Sequence, residues 1–301
     1  MNIISKLATV RTLLADGATG TYLQSRGLVA GGDPELMNIT HSKIVSSMAA
    51  DYFRAGSDLV QTNSFGGTFY VQNRYEHGDK VDEINYVAAK LARAGADDPK
   101  LNSKERYVFG SVGPTGELIA PVGMTSPQDI YSKFKQQIMA LERGGVNGII
   151  VETMISLEEA KIAVRAVKEN TELPVAALTT FDKGPRGFFT MMGDTPEKCV
   201  NELSAVGADI VGTNCGNGIE IMVELAERFR QTSEGYVWIN SNAGTPQIRQ
   251  GQIIYPETPE YMSHGFQKLA DIGINIIGGC CGTTPEHIKN IATVLSTREE
   301  K

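Results

Sequence analysis

Gly207-Ala208-Asp209-Ile210-Val211-Gly212-Thr213-Asn214-Cys215 runs from a turn through an apolar, β-rich stretch to a cysteine. A glycine at the head of such a segment suits the left-handed residue that ends a helix before the chain enters a strand. The same opening recurs as Gly56-Ser57-Asp58, Gly145-Val146-Asn147 and Gly273-Ile274-Asn275. With the segments between them, the pattern predicts eight strands near residues 11–16, 58–63, 106–112, 147–152, 174–180, 208–214, 236–241 and 274–279, each followed by a helical pattern. Helix starts are marked by Ser126-Pro127, Thr195-Pro196-Glu197, Thr258-Pro259-Glu260 and Thr284-Pro285-Glu286, a capping hydroxyl ahead of proline. Ser156-Leu157-Glu158-Glu159 has capping-box spacing. Eight strand–helix alternations predict an α/β fold, a closed (β/α)₈ TIM barrel, as a single domain over 1–301 with an N-terminal lead-in.

The connections leaving the strands are the long ones, such as Asn63 to Asp79, Gly113 to Thr125, Phe181 to Asp194 and Asn242 to Glu257. In a barrel these gather at the C-terminal ends of the strands, the usual active-site face. Cys215 follows the sixth strand and Gly278-Gly279-Cys280-Cys281-Gly282 ends the eighth, so three of the four cysteines converge on that face. Neighbouring side chains on a strand point apart, and Cys280 and Cys281 can share one ion only where glycines break the strand. Three thiolates suit zinc with one position open, as in catalytic sites; a disulfide, inert buried thiols or a closed structural site are the other readings. Cys199 falls inside a predicted helix and reads as core. His41, His77, His264 and His287 lack metal-ligand spacing, and no glycine run matches a P-loop or dinucleotide fingerprint.

A net charge of −7 without a basic cluster argues against nucleic acid as a partner. The opening Met1-Asn2-Ile3-Ile4-Ser5-Lys6 lacks the apolar core of a signal peptide, and no stretch has the ~20 apolar residues of a membrane span. A cytoplasmic chain with reduced thiols is the expectation. At the same rim stand Asp16-Gly17-Ala18-Thr19-Gly20-Thr21, Gln61-Thr62-Asn63-Ser64-Phe65-Gly66-Gly67, Gly113-Pro114-Thr115-Gly116 and Glu152-Thr153. Asp16 and Glu152 either hold an ammonium group between them or serve the fold, one capping a turn and the other pairing with a base. The amides near Gly17 and Gly20 could receive a carboxylate, and an amino acid bearing a thiol would suit all three features. Asp182-Lys183-Gly184-Pro185-Arg186-Gly187 reads as a solvated loop.

These motifs, together with Asn214-Cys215, Asn242-Ala243-Gly244 and Gly278-Gly279-Cys280-Cys281-Gly282-Thr283-Thr284-Pro285-Glu286-His287, resemble the zinc-dependent homocysteine S-methyltransferase family. The likeness runs from about Leu13 to Ile291 and is strongest to the homocysteine-binding module of cobalamin-dependent methionine synthase. It implies a (β/α)₈ barrel, zinc on Cys215, Cys280 and Cys281, and homocysteine held by Asp16 and Glu152 through its amino group. Gly17, Thr19, Asn63 and Asn214 complete the substrate contacts expected on the matching motifs. Asn217 departs from the family's usual pattern.

The resemblance implies that zinc turns the homocysteine thiol into a thiolate that attacks a methyl group, with no protein side chain as general base. The chain stops soon after its eighth helical pattern, so cobalamin is expected only on a separate corrinoid protein, and the oligomerisation arm of betaine-dependent relatives is expected to be missing. S-methylmethionine, S-adenosylmethionine and betaine are the alternative donors. Methyl transfer from a methylated substrate to a corrinoid protein is a further reading, and a zinc-stabilised binding module is the non-enzymatic one. Donor, direction of flux and oligomeric state stay open at this level.

Overall fold

The structure, a computed structural model, describes residues 2–102, 104–249 and 252–299. Met1 of the opening hexapeptide, two positions of the Asn242–Glu257 connection and the end of the 1–301 span lie outside the described residues. Eight parallel strands form one sheet: β1 (Leu13–Leu14), β2 (Leu59–Gln61), β3 (Tyr107–Val112), β4 (Gly148–Met154), β5 (Val175–Thr179), β6 (Ile210–Asn214), β7 (Tyr236–Ser241) and β8 (Ile276–Gly279). Each falls within or against one of the eight expected segments, and most are shorter. Their order, β1-β8-β7-β6-β5-β4-β3-β2, is that of a barrel cut between β1 and β2. At that seam one backbone bond, from Asp58 N–H to the Leu14 carbonyl at 2.7 Å, is joined by two side-chain bonds: Leu14 N–H donates to Asp58 Oδ2 at 2.8 Å, and Gln61 N–H donates to Asp16 Oδ2 at 2.8 Å.

The recurring turn has a structural role at the N-terminal ends of the strands. Gly56, Gly145, Gly207 and Gly273 have φ of 117°, 94°, 98° and 88°, the left-handed conformation that glycine adopts without a Cβ clash. Two residues later, Asp58, Asn147, Asp209 and Asn275 each accept an N–H from the neighbouring strand, from Leu14, Val108, Val175 and Val237 at 2.8, 2.8, 2.8 and 2.9 Å. The same four residues donate their own N–H groups to carbonyls of those partners. The side chain thus pairs a backbone donor at the open start of the ladder, which would otherwise be left unmade.

Outside the sheet run α1 (Ser42–Ala55), α2 (Val81–Ala96), α3 (Pro127–Gly144), α4 (Leu157–Asn170), α5 (Pro196–Ala205), α6 (Ile219–Thr232), α7 (Pro259–Ile272) and α8 (Pro285–Glu299). Ser126, Thr195 and Thr258 cap α3, α5 and α7 as expected, each accepting an N–H from three residues on. Thr284 differs: its hydroxyl meets His287 Nδ1 at 3.0 Å, while His287 Nε2 lies 3.1 Å from the Glu257 carbonyl. The box at Ser156 is half made. Ser156 Oγ accepts from Glu159 N–H, but the Glu159 carboxylate accepts from Thr115 N–H and Oγ at 2.7 and 2.6 Å. That carboxylate secures the Gly113–Gly116 loop.

Two apolar clusters divide the core. One fills the layer between sheet and helices; the other, with Leu13, Leu59, Phe109, Ile150, Ile210 and Trp238, fills the barrel. The alternation along each strand assigns its residues to one or the other, Leu13 against Leu14 and Ile210 against Val211. Trp238 and Phe109 meet edge to face, with ring centroids 5.3 Å apart. The short helix Ile3–Leu7 packs Ile3 and Leu7 into the interior cluster and closes its N-terminal end. Two of the long loops are more ordered than expected, containing hairpins at Asp182–Gly184 with Gly187–Phe189, and at Gln247–Arg249 with Gln252–Ile254. Among the described residues no helix is long and apolar enough to cross a membrane.

Candidate active site

Two residues beyond the apolar barrel layer, the inward register turns polar: Leu59 gives way to Gln61, Phe109 to Ser111, Ile150 to Glu152, and Trp238 to Asn240. Above this layer opens a cavity of about 360 Å³, with Gly17, Thr19, Glu35, Asn63, Glu152 and the three cysteines 215, 280 and 281 among its walls.

Backbone turns set the sulfurs. Cys215 has φ of 62° and Gly216 of 76°, and Asn217 N–H donates to the Cys215 carbonyl at 2.9 Å, closing a three-residue turn at the end of β6. Cys280 to Thr283 make a four-residue turn closed at 3.1 Å, with Gly282 at φ 83°; a Cβ there would overlap the Tyr255 ring. Cys280 N–H donates to Ser241 O, and Ala243 N–H to Cys281 O, fastening this turn to the loop after β7. The Cys215 and Cys281 Sγ atoms stand 3.9 Å apart, and the three candidate ligand atoms lie within 4.8 Å of one another. Thiolates about 2.3 Å from a tetrahedral zinc ion are separated by about 3.8 Å, so the cluster fits that ion. Cys215 is held well below the ordinary thiol range, chiefly by hydrogen bonds from the Cys280 and Cys281 thiols, and Cys280 is pushed up by the same partnership. Cys199 is buried in α5, as expected, and burial pushes its thiol up to about 12.

The carboxylates lie deeper than the half-buried cysteines. Burial pushes Asp16 up to about 7, against hydrogen bonds with Gln61. Its Oδ1 is buried and has no hydrogen-bond partner. Burial pushes Glu152 up to about 8, offset by Ser111 and reinforced by the charges of Asp16 and Cys215. Ser111 Oγ donates to Glu152 Oε1 at 2.5 Å and Asn214 Nδ2 donates to Oε2 at 3.0 Å. Asn214 also accepts Thr153 N–H at 2.7 Å and donates to Thr153 Oγ1 at 2.8 Å. These bonds fix Thr153 at φ 57°, an uncommon conformation for a β-branched residue.

The expected residues do not all occupy equivalent positions. Gly17, Thr19, Asn63 and Glu152 line the cavity, whereas the Asn214 side chain is engaged with Glu152 and Thr153. The Asn63 amide donates to the Pro34 carbonyl at 2.7 Å and to Asn38 Oδ1 at 3.0 Å, holding the first loop in place. Gly17 is required by close packing, since a Cβ would come within 2.8 Å of Thr283 Oγ1, and the neighbouring Ala18 N–H already donates to that oxygen. Glu35 was not anticipated. It is 3% exposed, accepts Gly66 N–H at 2.7 Å, and is pushed up to about 8 by burial. In sequence its carboxylate looks like any other in a polar loop; only the adjacent Asp33-Pro34 turn hints at order. Ser111 and Tyr255 were equally unmarked.

A parallel barrel with a half-buried thiol cluster and raised carboxyls at its C-terminal mouth has the architecture of a barrel enzyme with a metal-competent site. The chain belongs to the homocysteine S-methyltransferase family, whose model matches residues 13–295. Methionine synthase of Mycobacterium tuberculosis is 29% identical over 298 residues, covering 95% of this chain and 25% of the relative. Methionine synthase of Mycobacterium leprae is also 29% identical, covering 95% and 24%. The chain thus spans about a quarter of the length of these curated relatives. Among solved structures, the metallated homocysteine methyltransferase MmuM from Escherichia coli superposes with a TM-score of 0.79 over 97% of this chain and 99% of its own, at 19% identity, a likeness of fold.

Proposed function

We propose that this barrel methylates homocysteine to methionine, with a zinc ion on Cys215, Cys280 and Cys281. The observation that carries the reading is the juxtaposition of the three sulfurs with two buried carboxyls on one cavity. When bound, zinc lowers the pKa of an incoming thiol, so that its sulfur is a nucleophile at neutral pH. The protein's own residues position the amino acid. Asp16 Oδ1, left without a partner, and Glu152 receive its ammonium group, whose charge offsets the burial that keeps both carboxyls protonated. Asn214 and Ser111 hold Glu152 in place, and Thr19 and Asn63 bound the same cavity.

The methyl donor in this proposal is methylcobalamin carried by a separate corrinoid protein. Support comes from the methionine synthase relatives and from the rim of the mouth, where Phe65, Leu118, Met124, Met191, Ile248 and Ile253 are exposed on the loops that leave the strands. Exposed apolar side chains gathered at one face favour a macromolecular surface. A small sulfonium or betaine donor is the second reading, favoured by the size of the cavity behind that rim, about 360 Å³. Zinc-loaded protein assayed with homocysteine against methylcobalamin, S-methylmethionine, S-adenosylmethionine and betaine separates the two. The expected result is methionine from methylcobalamin, lost together with bound zinc in Cys281→Ala. Full turnover by Cys281→Ala would reject the site, and turnover with a sulfonium alone would replace the donor.

A further inference from the structure

The loop that follows β2 is held at each carbonyl from Asn63 to Gly67, every time by a different element. Asn38 Nδ2 donates to the Asn63 carbonyl at 2.8 Å, and Gln137 Nε2, from α3, donates to that of Ser64 at 2.7 Å. Gly113 N–H donates to the Phe65 carbonyl at 2.9 Å. Gln72 Nε2 donates to that of Gly66 at 2.9 Å, and Asn85 Nδ2, from α2, donates to that of Gly67 at 2.8 Å. The four amide side chains are fully buried, and the side-chain oxygens of Gln72, Asn85 and Gln137 have no hydrogen-bond partner among the described residues. An amide oxygen left unpaired in the interior is unfavourable, and an apolar side chain of similar shape would avoid it. Stability alone therefore does not account for three such amides behind one loop.

This frame carries one exposed side chain. Between Leu59 and Thr68 every residue is buried except Phe65, which is 41% exposed. Its ring lies against Gly113, where a Cβ would come within 2.6 Å of it, and it lines the same cavity as Thr19, Glu152 and the three clustered cysteines. An exposed aromatic ring on a backbone tied at every carbonyl has the character of a contact surface. In the proposed reaction the polar ends of homocysteine are met elsewhere, its ammonium group by Asp16 and Glu152 and its sulfur at the cysteines. Phe65 offers only an apolar face, open to the other reactant. We propose that Phe65 is the wall against which the methylcobalamin donor seats, and that Gln137, Asn85, Gln72 and Asn38 are positioning residues that fix it there. The inference rests on the methyl-transfer reading and adds to it the residue that meets the donor.

Phe65→Ala and Gln137→Met test it in zinc-loaded, full-length protein with free methylcobalamin as donor, folding being checked by circular dichroism and by emission of the buried Trp238. Gln137→Met keeps the length of the side chain and orphans no carbonyl at Ser64, which also accepts Gly67 N–H at 2.9 Å, so this variant should melt no lower than the parent. The KM for methylcobalamin should rise roughly 5- to 30-fold in each variant, the loss of an interface anchor, while homocysteine affinity titrated without donor stays unchanged. The double variant should be no worse than Phe65→Ala, because both changes act through one ring. An unchanged KM for methylcobalamin in Phe65→Ala overturns the inference. So does a homocysteine affinity that falls in step with the donor's, which would make Phe65 part of the amino-acid pocket. A parent protein that makes no methionine from methylcobalamin overturns the donor reading and this inference together.

Discussion

Glu152 is tied into the fold by Ser111 and Asn214, and in the proposed reaction it would receive the substrate. Its carboxyl, like that of Asp16, stands above its unfolded value, at about 8 against 4.5, with Asp16 at about 7 against 3.8. For acids raised in this way the stabilising contribution is complete below the unfolded range near pH 4 and is lost as pH rises through the folded values. The substrate-free protein should therefore melt at progressively lower temperature between pH 6 and 8.5. Over the same interval the KM for homocysteine should fall, because the carboxyls ionise and accept an ammonium group. Glu152→Gln keeps the shape but removes the charge. Losing a charge-assisted bond of about 1.5–3 kcal/mol should raise KM roughly 10- to 100-fold, with a flatter pH profile; an unchanged KM would remove Glu152 from the substrate. The positions of Cys215, Cys280, Cys281, Asp16 and Glu152 were legible in sequence because each lies near the C-terminal end of a strand, and strand ends locate the mouth. Glu35, Ser111 and Tyr255 were not, because their roles depend on contacts across loops that share no periodicity.

At the scale of elements, the turn ahead of every second strand is the most readable feature of the chain. The glycine signal located the strands, but the purpose of the Asp or Asn two residues later became visible only with the register in hand. Asp209 illustrates it: Oδ2 accepts the Val175 N–H at 2.8 Å, at the opposite end of the strands from the cysteines. Asp209→Ala would leave that buried amide unpaired, at a cost of about 1–3 kcal/mol. A lowered urea midpoint with unchanged KM is the expected outcome, and loss of activity at full stability would contradict it. The two hairpins were hidden for the opposite reason. Strands of three residues, broken by glycine, lack the alternation that marks a longer one.

For the whole molecule, the interior cluster is complete below the polar layer, so the barrel does not depend on the sulfurs for its core. Removing metal with a chelator should abolish methyl transfer while far-ultraviolet dichroism and Trp238 emission persist; global unfolding would instead favour a zinc-stabilised binding module. The overall architecture was legible because eight alternations admit few closed arrangements. What the alternation could not show is that the circle is joined between β1 and β2 partly through acid side chains. Asp16 grips the second strand with one oxygen and leaves the other free. A guest that engages the free oxygen therefore tightens the joint itself, and the barrel is most firmly hooped when it is occupied.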